Sequence, residues 1–230
     1  MSQPVSSPLA ATPGPDREFA RRRMVDTQVR PVGVSDPRIL TAMRALPRER
    51  FVPPDRADLA YMDQDISLGN GRFLTEPRVI ARLLQALVPL GGERALVIGA
   101  GPGYAACLLG ALGLSVVALE QNADLAAVGR RLVAEFAPGV VYRDGPLAAG
   151  CPDAAPFDLI LIDGAVVTIP DAFAAQLGTS GRLAGVLSPP GRVGTGILAD
   201  ASPAGLRPRT QFDAATPLLP ELAPAPRFSF

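Results

Sequence analysis

Residues 95–104 read ALVIGAGPGY, an apolar run followed by three glycines that alternate with single residues. The run lacks the polar alternation of a half-buried strand, so it predicts a strand buried on both faces of a parallel sheet. Similar runs follow in SVVALE (115–120), VVYRD (140–144) and FDLILID (157–163), and helical patterns separate them. This order predicts an α/β fold with a doubly wound, mostly parallel, Rossmann-like sheet.

The flanking segments complete the predicted architecture. Residues 1–15 are rich in Pro, Ser and Ala and are predicted to form a disordered tail. Residues 16–75 are predicted to form an N-terminal helical cap and a substrate loop, with a helix over 16–30 that Pro31 ends. Residues 76–230 are predicted to form the sheet domain, which begins with a helix and ends in a C-terminal antiparallel strand pair.

The composition excludes several kinds of chemistry. All 22 basic residues are Arg, they are balanced by 22 acidic residues, and the sequence has no Lys, His or Trp. Histidine-assisted nucleophiles, lysine Schiff bases and imidazole metal ligands are therefore excluded, and no metal site is predicted. No long basic block indicates nucleic-acid binding, and no apolar segment approaches the ~20 residues that span a bilayer. With two cysteines and no signal peptide pattern, we expect a cytoplasmic protein, and we expect a monomer.

The glycine register indicates the kind of nucleotide. The glycines are Gly99, Gly101 and Gly103, and Tyr104 stands where the dinucleotide fingerprint has its third glycine. A G-x-G-x-G loop instead predicts a site for the methionine part of S-adenosyl-L-methionine. Glu120 ends the next strand, about 20 residues on, and is predicted to accept hydrogen bonds from both ribose hydroxyls.

Asp144 follows the third strand, and its carboxylate is predicted to accept a hydrogen bond from the adenine amino group. The opposing interpretation is that the glycines serve only as tight turns and that Glu120 is a solvated strand end. Three elements in this order favour an adenosine ligand.

Four stretches of the sequence resemble the protein-L-isoaspartate O-methyltransferases. They are MVDTQVRPVGVSDPRILTAMRALPRERFVP (24–53), AYMDQDISLGNGRFLTEP (60–77), ALVIGAGPGYAACL (95–108) and FDLILIDGAVVTIPDAF (157–173). The resemblance implies transfer of a methyl group from S-adenosyl-L-methionine to the carboxylate of an isoaspartyl residue in a damaged protein or peptide, a repair reaction. Because that carboxylate is already ionised at neutral pH, a chain without His or Lys can support the reaction.

The resemblance places the catalytic hydroxyl at Thr75, where the family carries Ser. A second interpretation of Thr75 is that it is only the N-cap of the following helix. The sequence departs from the family pattern at Phe73, Glu76, Val97 and Asp163. Asp163, which ends the strand FDLILID, is counted with the predicted cofactor-binding residues.

These departures keep two alternatives open. The first is a methyltransferase with a different acceptor, because Glu76 and Asp163 add negative charge unless Arg78 offsets it. The second is a catalytically decayed protein of the same fold that binds cofactor or a partner, because Val97 replaces an acidic residue that helps fix the cofactor.

Overall fold

A computed structural model describes residues 15–202 and 205–223. The predicted tail (1–15) lies outside the described residues apart from Pro15, which begins the first helix. The helices are α1 (Pro15–Met24), α2 (Pro37–Ala45), α3 (Pro77–Leu87), α4 (Tyr104–Ala111), α5 (Ala123–Phe136) and α6 (Asp171–Ala174). The strands are β1 (Ile66–Gly69), β2 (Arg72–Leu74), β3 (Arg94–Ile98), β4 (Ser115–Glu120), β5 (Val141–Asp144), β6 (Phe157–Val166), β7 (Leu177–Leu187), β8 (Thr195–Ser202) and β9 (Gly205–Asp213).

The main sheet has seven strands in the order β5-β4-β3-β6-β7-β8-β9. Strands β5, β4, β3, β6 and β7 are mutually parallel, whereas β7–β8 and β8–β9 are antiparallel. The predicted Rossmann-like sheet and its C-terminal antiparallel pair are therefore confirmed. From β3 the chain adds β4 and β5 on one side, and it then crosses to the other side of β3 to add β6 and β7. The winding direction therefore reverses between β3 and β6, and a crevice forms at the carboxyl ends of these two strands.

Strand β3 is buried on both faces, as its unbroken apolar run predicts. Ala95 and Val97 pack into the core cluster that contains the cap and helices α3, α4 and α5. Leu96 and Ile98 pack into a second cluster on the opposite face, which contains Phe173 of α6. Successive side chains of a strand point to opposite faces, so only apolar residues satisfy both layers.

The cap begins with one long helical segment that changes its winding. After α1 the chain continues as a π-helical turn over Val25–Val29 and a 3-10 turn over Arg30–Val32, and it stops at Gly33. Gly33 adopts φ of +90°, a left-handed conformation that glycine accepts without steric cost. The helical segment predicted to end at Pro31 therefore extends one residue past it.

Helix α2 follows its sequence signals closely. The side chain of Asp36 accepts a hydrogen bond from the backbone N–H of Arg38 and Pro37 occupies the first turn. Ile39, Leu40 and Met43 are buried against the sheet domain.

A small hairpin brings part of the predicted substrate loop to the carboxyl edge of the sheet. Strands β1 and β2 pair antiparallel, and the turn between them has positive φ at Asn70 and Gly71. Arg72 and Leu74, two residues apart on β2, are both buried. Among the described helices, none has the length and hydropathy needed to cross a membrane.

Candidate active site

Four of the predicted site residues lie in one row at the carboxyl edge of the sheet. Glu120 pairs with Asp144 across β4 and β5. Ile98 of β3 pairs with Leu119 on one side and with Ile162 on the other, which puts Gly99 level with Glu120 and with Asp163. The order along the edge is Asp144, Glu120, Gly99, Asp163. With neighbouring strands about 4.8 Å apart, the row is about 14 Å long.

The glycine loop turns sharply behind β3. Gly99, Gly101 and Gly103 have φ of +73°, +55° and +94°. A Cβ atom on Gly103 would lie only 2.7 Å from a methyl carbon of Val133. The backbone N–H groups of Gly99 and Ala100 both donate to the carbonyl oxygen of Leu119. The positive φ angles and the close packing therefore explain why glycine occupies these positions, whether or not a ligand binds.

Glu120 is fully buried, with 0% of its side chain exposed, and both of its oxygens are engaged. Oε1 accepts from the backbone N–H groups of Gln121 (2.9 Å) and Asn122 (2.8 Å), and Oε2 accepts from that of Gly101 (2.7 Å). The same two oxygens form a bidentate ion pair with Arg72, at 2.6 and 2.9 Å. Glu120 is therefore a buried carboxylate, and it is bound by the chain itself.

Arg72 extends from β2 across the glycine loop. Its Nη2 donates to the carbonyl oxygen of Gly99 (2.9 Å) and its Nη1 to Glu221 (3.1 Å), in addition to the ion pair with Glu120. Burial alone would lower the pKa of this guanidinium, but its bonds to Glu120 raise that pKa above the usual value. The positive charge is thus permanent.

Leu219 fills the space above the diverging strands. A Cβ atom on Gly99 would lie 3.1 Å from both of its methyl carbons, and one on Gly164 would lie 2.7 Å from its Cγ. Leu219 is 4% exposed and belongs to the second core cluster. The side chain therefore occupies the crevice in which ligands of this fold class bind.

The outer end of the row is open to solvent. Asp144 has a half-exposed carboxylate that forms an ion pair with Arg130 of α5. The hydroxyl of Tyr142, on the same strand, donates to the carbonyl oxygen of Gly101. An adenine base at this end would meet Asp144 only in competition with Arg130.

Thr75 is a buried hydroxyl and not a helix cap. The N-cap of α3 is Glu76, whose side chain makes no capping bond, and Thr75 instead donates to Asp163 (2.7 Å). Burial raises the pKa of Asp163 to about 6, against the opposing effect of this hydrogen bond. The interpretation of Thr75 as an N-cap is wrong, and the pair lies beside the glycine loop.

Arg48 fixes the backbone at Thr75 from beneath. Its guanidinium is fully buried, donates to the carbonyl oxygens of Ala60 (2.8 Å) and Thr75 (2.7 Å), and lies 4.9 Å from the ring centroid of Tyr104. The family-like stretch PRERFVP thus supplies a positioning residue for the predicted hydroxyl.

Three carboxylates surround this part of the site. Asp65 accepts from the backbone N–H of Glu76 (2.8 Å), and burial raises the pKa of Asp65 to about 6. Glu76 is 9% exposed and pairs with the Nε of Arg78 at 2.9 Å. Arg78 therefore offsets Glu76, while Asp65 and Asp163 lack a salt-bridge partner among the described residues. Within the same residues, no group of three or more His, Cys, Asp or Glu is placed to hold a metal ion.

Two of the most important contacts carry little signal in the sequence. Arg72 and Leu219 act at the glycine loop; Arg72 lies in the family-like stretch 60–77 but at none of the positions predicted to be functional, and Leu219 lies outside all four stretches. Arg72 and Leu74 are two residues apart on a short strand, so their side chains lie on the same face. An arginine on the same face as an apolar leucine is the feature of the sequence that indicates a buried charge.

Comparison with known proteins gives a family match. A model of the protein-L-isoaspartate(D-aspartate) O-methyltransferase family matches residues 20–189. A protein-L-isoaspartate O-methyltransferase of Methylorubrum extorquens (strain PA1) is 44% identical over 186 residues, which are 81% of this chain and 82% of the relative. One of Methanoregula boonei is 40% identical over 173 residues, 75% of this chain and 79% of the relative. The family match therefore includes most of the cap as well as the parallel part of the sheet.

Solved structures share the fold. A protein-L-isoaspartate O-methyltransferase aligns with a TM-score of 0.75 at 22% identity, over 90% of this chain and 67% of the other. A beta-aspartate methyltransferase from Plasmodium falciparum, in complex with S-adenosyl-L-homocysteine, aligns with a TM-score of 0.73 at 17% identity, over 87% of this chain and 98% of the other.

Proposed function

Because the chain belongs to the protein-L-isoaspartate O-methyltransferase family, we propose that it transfers the methyl group of S-adenosyl-L-methionine to the free carboxylate of isoaspartyl residues in damaged proteins. The observation that carries the proposal is the row of Asp144, Glu120, Gly99 and Asp163 along the carboxyl edge of the sheet. A row of about 14 Å suits an extended adenosyl ligand with its reacting end beside Thr75.

The residues at this edge have the chemistry to hold the cofactor. Glu120 offers a carboxylate to ribose hydroxyls, Asp144 one to the adenine amino group, and the loop of Gly99, Gly101 and Gly103 offers backbone to the methionine part. The volume that the cofactor would occupy, however, is filled by the side chains of Arg72 and Leu219. The donor set fits S-adenosyl-L-methionine, and binding requires these two side chains to move.

The chain supports the transfer by positioning. The cofactor supplies a methyl group on a sulfonium, which an ionised carboxylate attacks without a general base. The Thr75 hydroxyl is held by Asp163 on one side, and its backbone carbonyl is held by Arg48 on the other. Because this hydroxyl has one proton, it can donate to the substrate carboxylate only after it turns away from Asp163; in that position it orients the carboxylate, which is the main contribution that this reaction needs.

The partner of the reaction is a protein or peptide that carries isoaspartate. We further infer a monomeric, cytoplasmic enzyme. Support for the compartment comes from Cys107 and Cys151, which are both buried and free. Sedimentation of the purified chain tests the oligomeric state.

One observation favours a second acceptor. The lining near Thr75 is acidic, with Asp65 and Asp163 both buried or half-buried and lacking an ion-pair partner among the described residues. When ionised, two such groups repel a carboxylate substrate and attract a protonated amine, which must give up a proton to one of them or to water before its lone pair can attack the methyl group; a neutral amine can be held by hydrogen bonds from its N–H groups. An amine acceptor is therefore the second candidate.

A pair of peptides separates these functions. Purified protein is incubated with S-adenosyl-L-methionine labelled in the methyl group and with a peptide containing either isoaspartate or aspartate at one position. We expect label only on the isoaspartyl peptide, as a base-labile ester. Base-stable label on amine acceptors would select the second candidate, and no transfer at saturating cofactor would remove both.

A further inference from the structure

Residues 216–222, here called the strap, cross the carboxyl ends of β3 and β6. The backbone N–H of Ala165 donates to the carbonyl oxygen of Pro217 (3.0 Å), and that of Leu219 donates to the carbonyl oxygen of Ala165 (2.8 Å). This forms a short parallel bridge that extends the end of β6. Two backbone hydrogen bonds therefore carry the strap over the site.

The side chains of the strap fill the crevice. Leu219 lies against Gly99, which follows β3, and against Gly164 of β6, so it occupies a space that neither glycine fills with a side chain of its own. Pro220 closes the other side, since its Cγ would lie 3.0 Å from a Cβ atom on Gly71 of the hairpin turn. The hairpin and the strap thus meet above the glycine loop.

Charge couples the strap to Glu120. The Arg72 guanidinium bridges Glu120 and Glu221, at 2.6 and 3.1 Å from the same nitrogen. Arg72 is 2% exposed and Glu221 is 15% exposed, so these bonds form away from bulk water. Arg72 therefore joins the predicted ribose carboxylate to a residue of the strap.

The closed arrangement leaves polar atoms unpaired. Nε of Arg72, Oγ1 of Thr216 and Oε2 of Glu221 are buried and have no hydrogen-bond partner among the described residues. A buried polar atom without a partner destabilises the arrangement that contains it. The closed strap is thus a state that a competing ligand with polar groups can displace.

We propose that the strap and Arg72 form an intramolecular inhibitor of cofactor binding: they occupy the space above Gly99 and Gly164 and the carboxylate of Glu120, and S-adenosyl-L-methionine binds only after they leave. The proposal rests on the proposed function, because it concerns the same site. An open fraction below one weakens the apparent affinity for the cofactor by that fraction. By reciprocity, bound cofactor holds the strap open.

Affinity for S-adenosyl-L-homocysteine, measured by calorimetry on the full chain, tests the proposal. Leu219→Ala and Arg72→Gln should each lower the dissociation constant about 10-fold or more, since each destabilises the closed state only. The matched controls are Leu218→Ala, which removes a 38% exposed side chain of the same strap, and Arg209→Gln, which breaks an exposed ion pair elsewhere. The controls should bind as the unmodified chain does.

Hydrogen exchange is measured on the unmodified chain, so this second test does not require that a variant folds. Addition of S-adenosyl-L-homocysteine should speed exchange in peptides covering residues 216–222 while slowing it in those covering the glycine loop. A strap that merely forms part of a rigid wall would be protected by the ligand together with the loop.

The outcomes separate this proposal from the proposed function. Binding with unchanged affinity in Leu219→Ala and Arg72→Gln, with a protected strap, overturns the strap proposal alone. Binding and strap release as expected, without methylation of isoaspartyl peptide, overturns the proposed function alone. Absence of binding in the unmodified chain and in both variants overturns both.

Discussion

The replacement of Asp163 by Asn should make the folded protein more stable at neutral and alkaline pH. Asp163 is 7% exposed, and burial raises the pKa of its carboxyl to about 6 from a usual value of 3.8. A raised pKa in the folded state means that the protonated form is favoured by folding. The contribution to stability is therefore fully present below about pH 4 and is lost as the pH rises through about 6.

The size of the effect follows from the shift in pKa. A change of about two pH units corresponds to about 3 kcal/mol at 1.36 kcal/mol per unit. The amide introduced by Asp163→Asn would be neutral at every pH and keeps an oxygen that can accept the hydrogen bond from Thr75. The free energy of unfolding of Asp163→Asn, relative to the unmodified protein, should thus rise by about 3 kcal/mol between about pH 4 and about pH 8.

Urea unfolding of both proteins at several pH values measures this difference directly, with the slope of free energy against urea concentration as a check on two-state behaviour. Asp58→Asn is the matched control, because that side chain is 93% exposed. The burial of Asp65 also produces a pH dependence, and because the charge of Asp65 helps to raise the pKa of Asp163, the measured difference includes the change that Asp163→Asn causes in the titration of Asp65. A difference between Asp163→Asn and the unmodified protein that did not change with pH would refute the reasoning.

Other predictions concern catalysis and packing. Thr75→Val should lower turnover of an isoaspartyl peptide about 10- to 100-fold and leave affinity for S-adenosyl-L-homocysteine unchanged, with Thr75→Ser as the control, because it removes a hydrogen bond worth about 1–3 kcal/mol. Gly129→Ala should destabilise the fold by about 1–3 kcal/mol in thermal or urea unfolding, because the added Cβ would lie 2.5 Å from the ring of Tyr142. Arg182→Gln should lower the free energy of unfolding by about 1–3 kcal/mol, because Arg182 donates to the carbonyl oxygens at the end of α3 and pairs with Glu93 at 2.8 Å.

The layered fold could be predicted because its signals are local. The run of residues 95–98 is buried on both faces, as an unbroken apolar strand in a parallel sheet must be. The N-cap Asp36 works through a hydrogen bond to the backbone two residues away, whereas the helix predicted to end at Pro31 continues to Gly33. The row of residues at the carboxyl edge was also predictable, because parallel strands place their ends side by side.

The contacts within the site could not be predicted in the same way. Glu120 was expected at a strand end with its oxygens available to a ligand. Instead, it forms an ion pair with Arg72, which is 48 positions away in the sequence. Arg72 in turn donates to Glu221, which is 149 positions from that arginine. Nothing in the residues around position 219 marks a leucine that will lie on two glycines of distant strands. Such contacts depend on how the C-terminal segment returns across the sheet, which no local periodicity encodes.

The ion pair with Arg72 stabilises the buried carboxylate of Glu120 in the folded protein before its cofactor binds. A carboxylate with no exposed surface costs several kcal/mol unless it is paired, so a chain that relied on ribose hydroxyls alone would be destabilised whenever the site was empty of ligand. Arg72 offsets that cost, because both partners of its bidentate pair with Glu120 are charged, whereas a ribose hydroxyl bonded to the same carboxylate is a neutral donor. Ribose hydroxyls that replace Arg72 do not replace its positive charge, so exchange is favoured when Arg72 leaves together with Glu221 of the strap and keeps that carboxylate as a partner. The same arginine that stabilises the unliganded fold thus sets the affinity of the site.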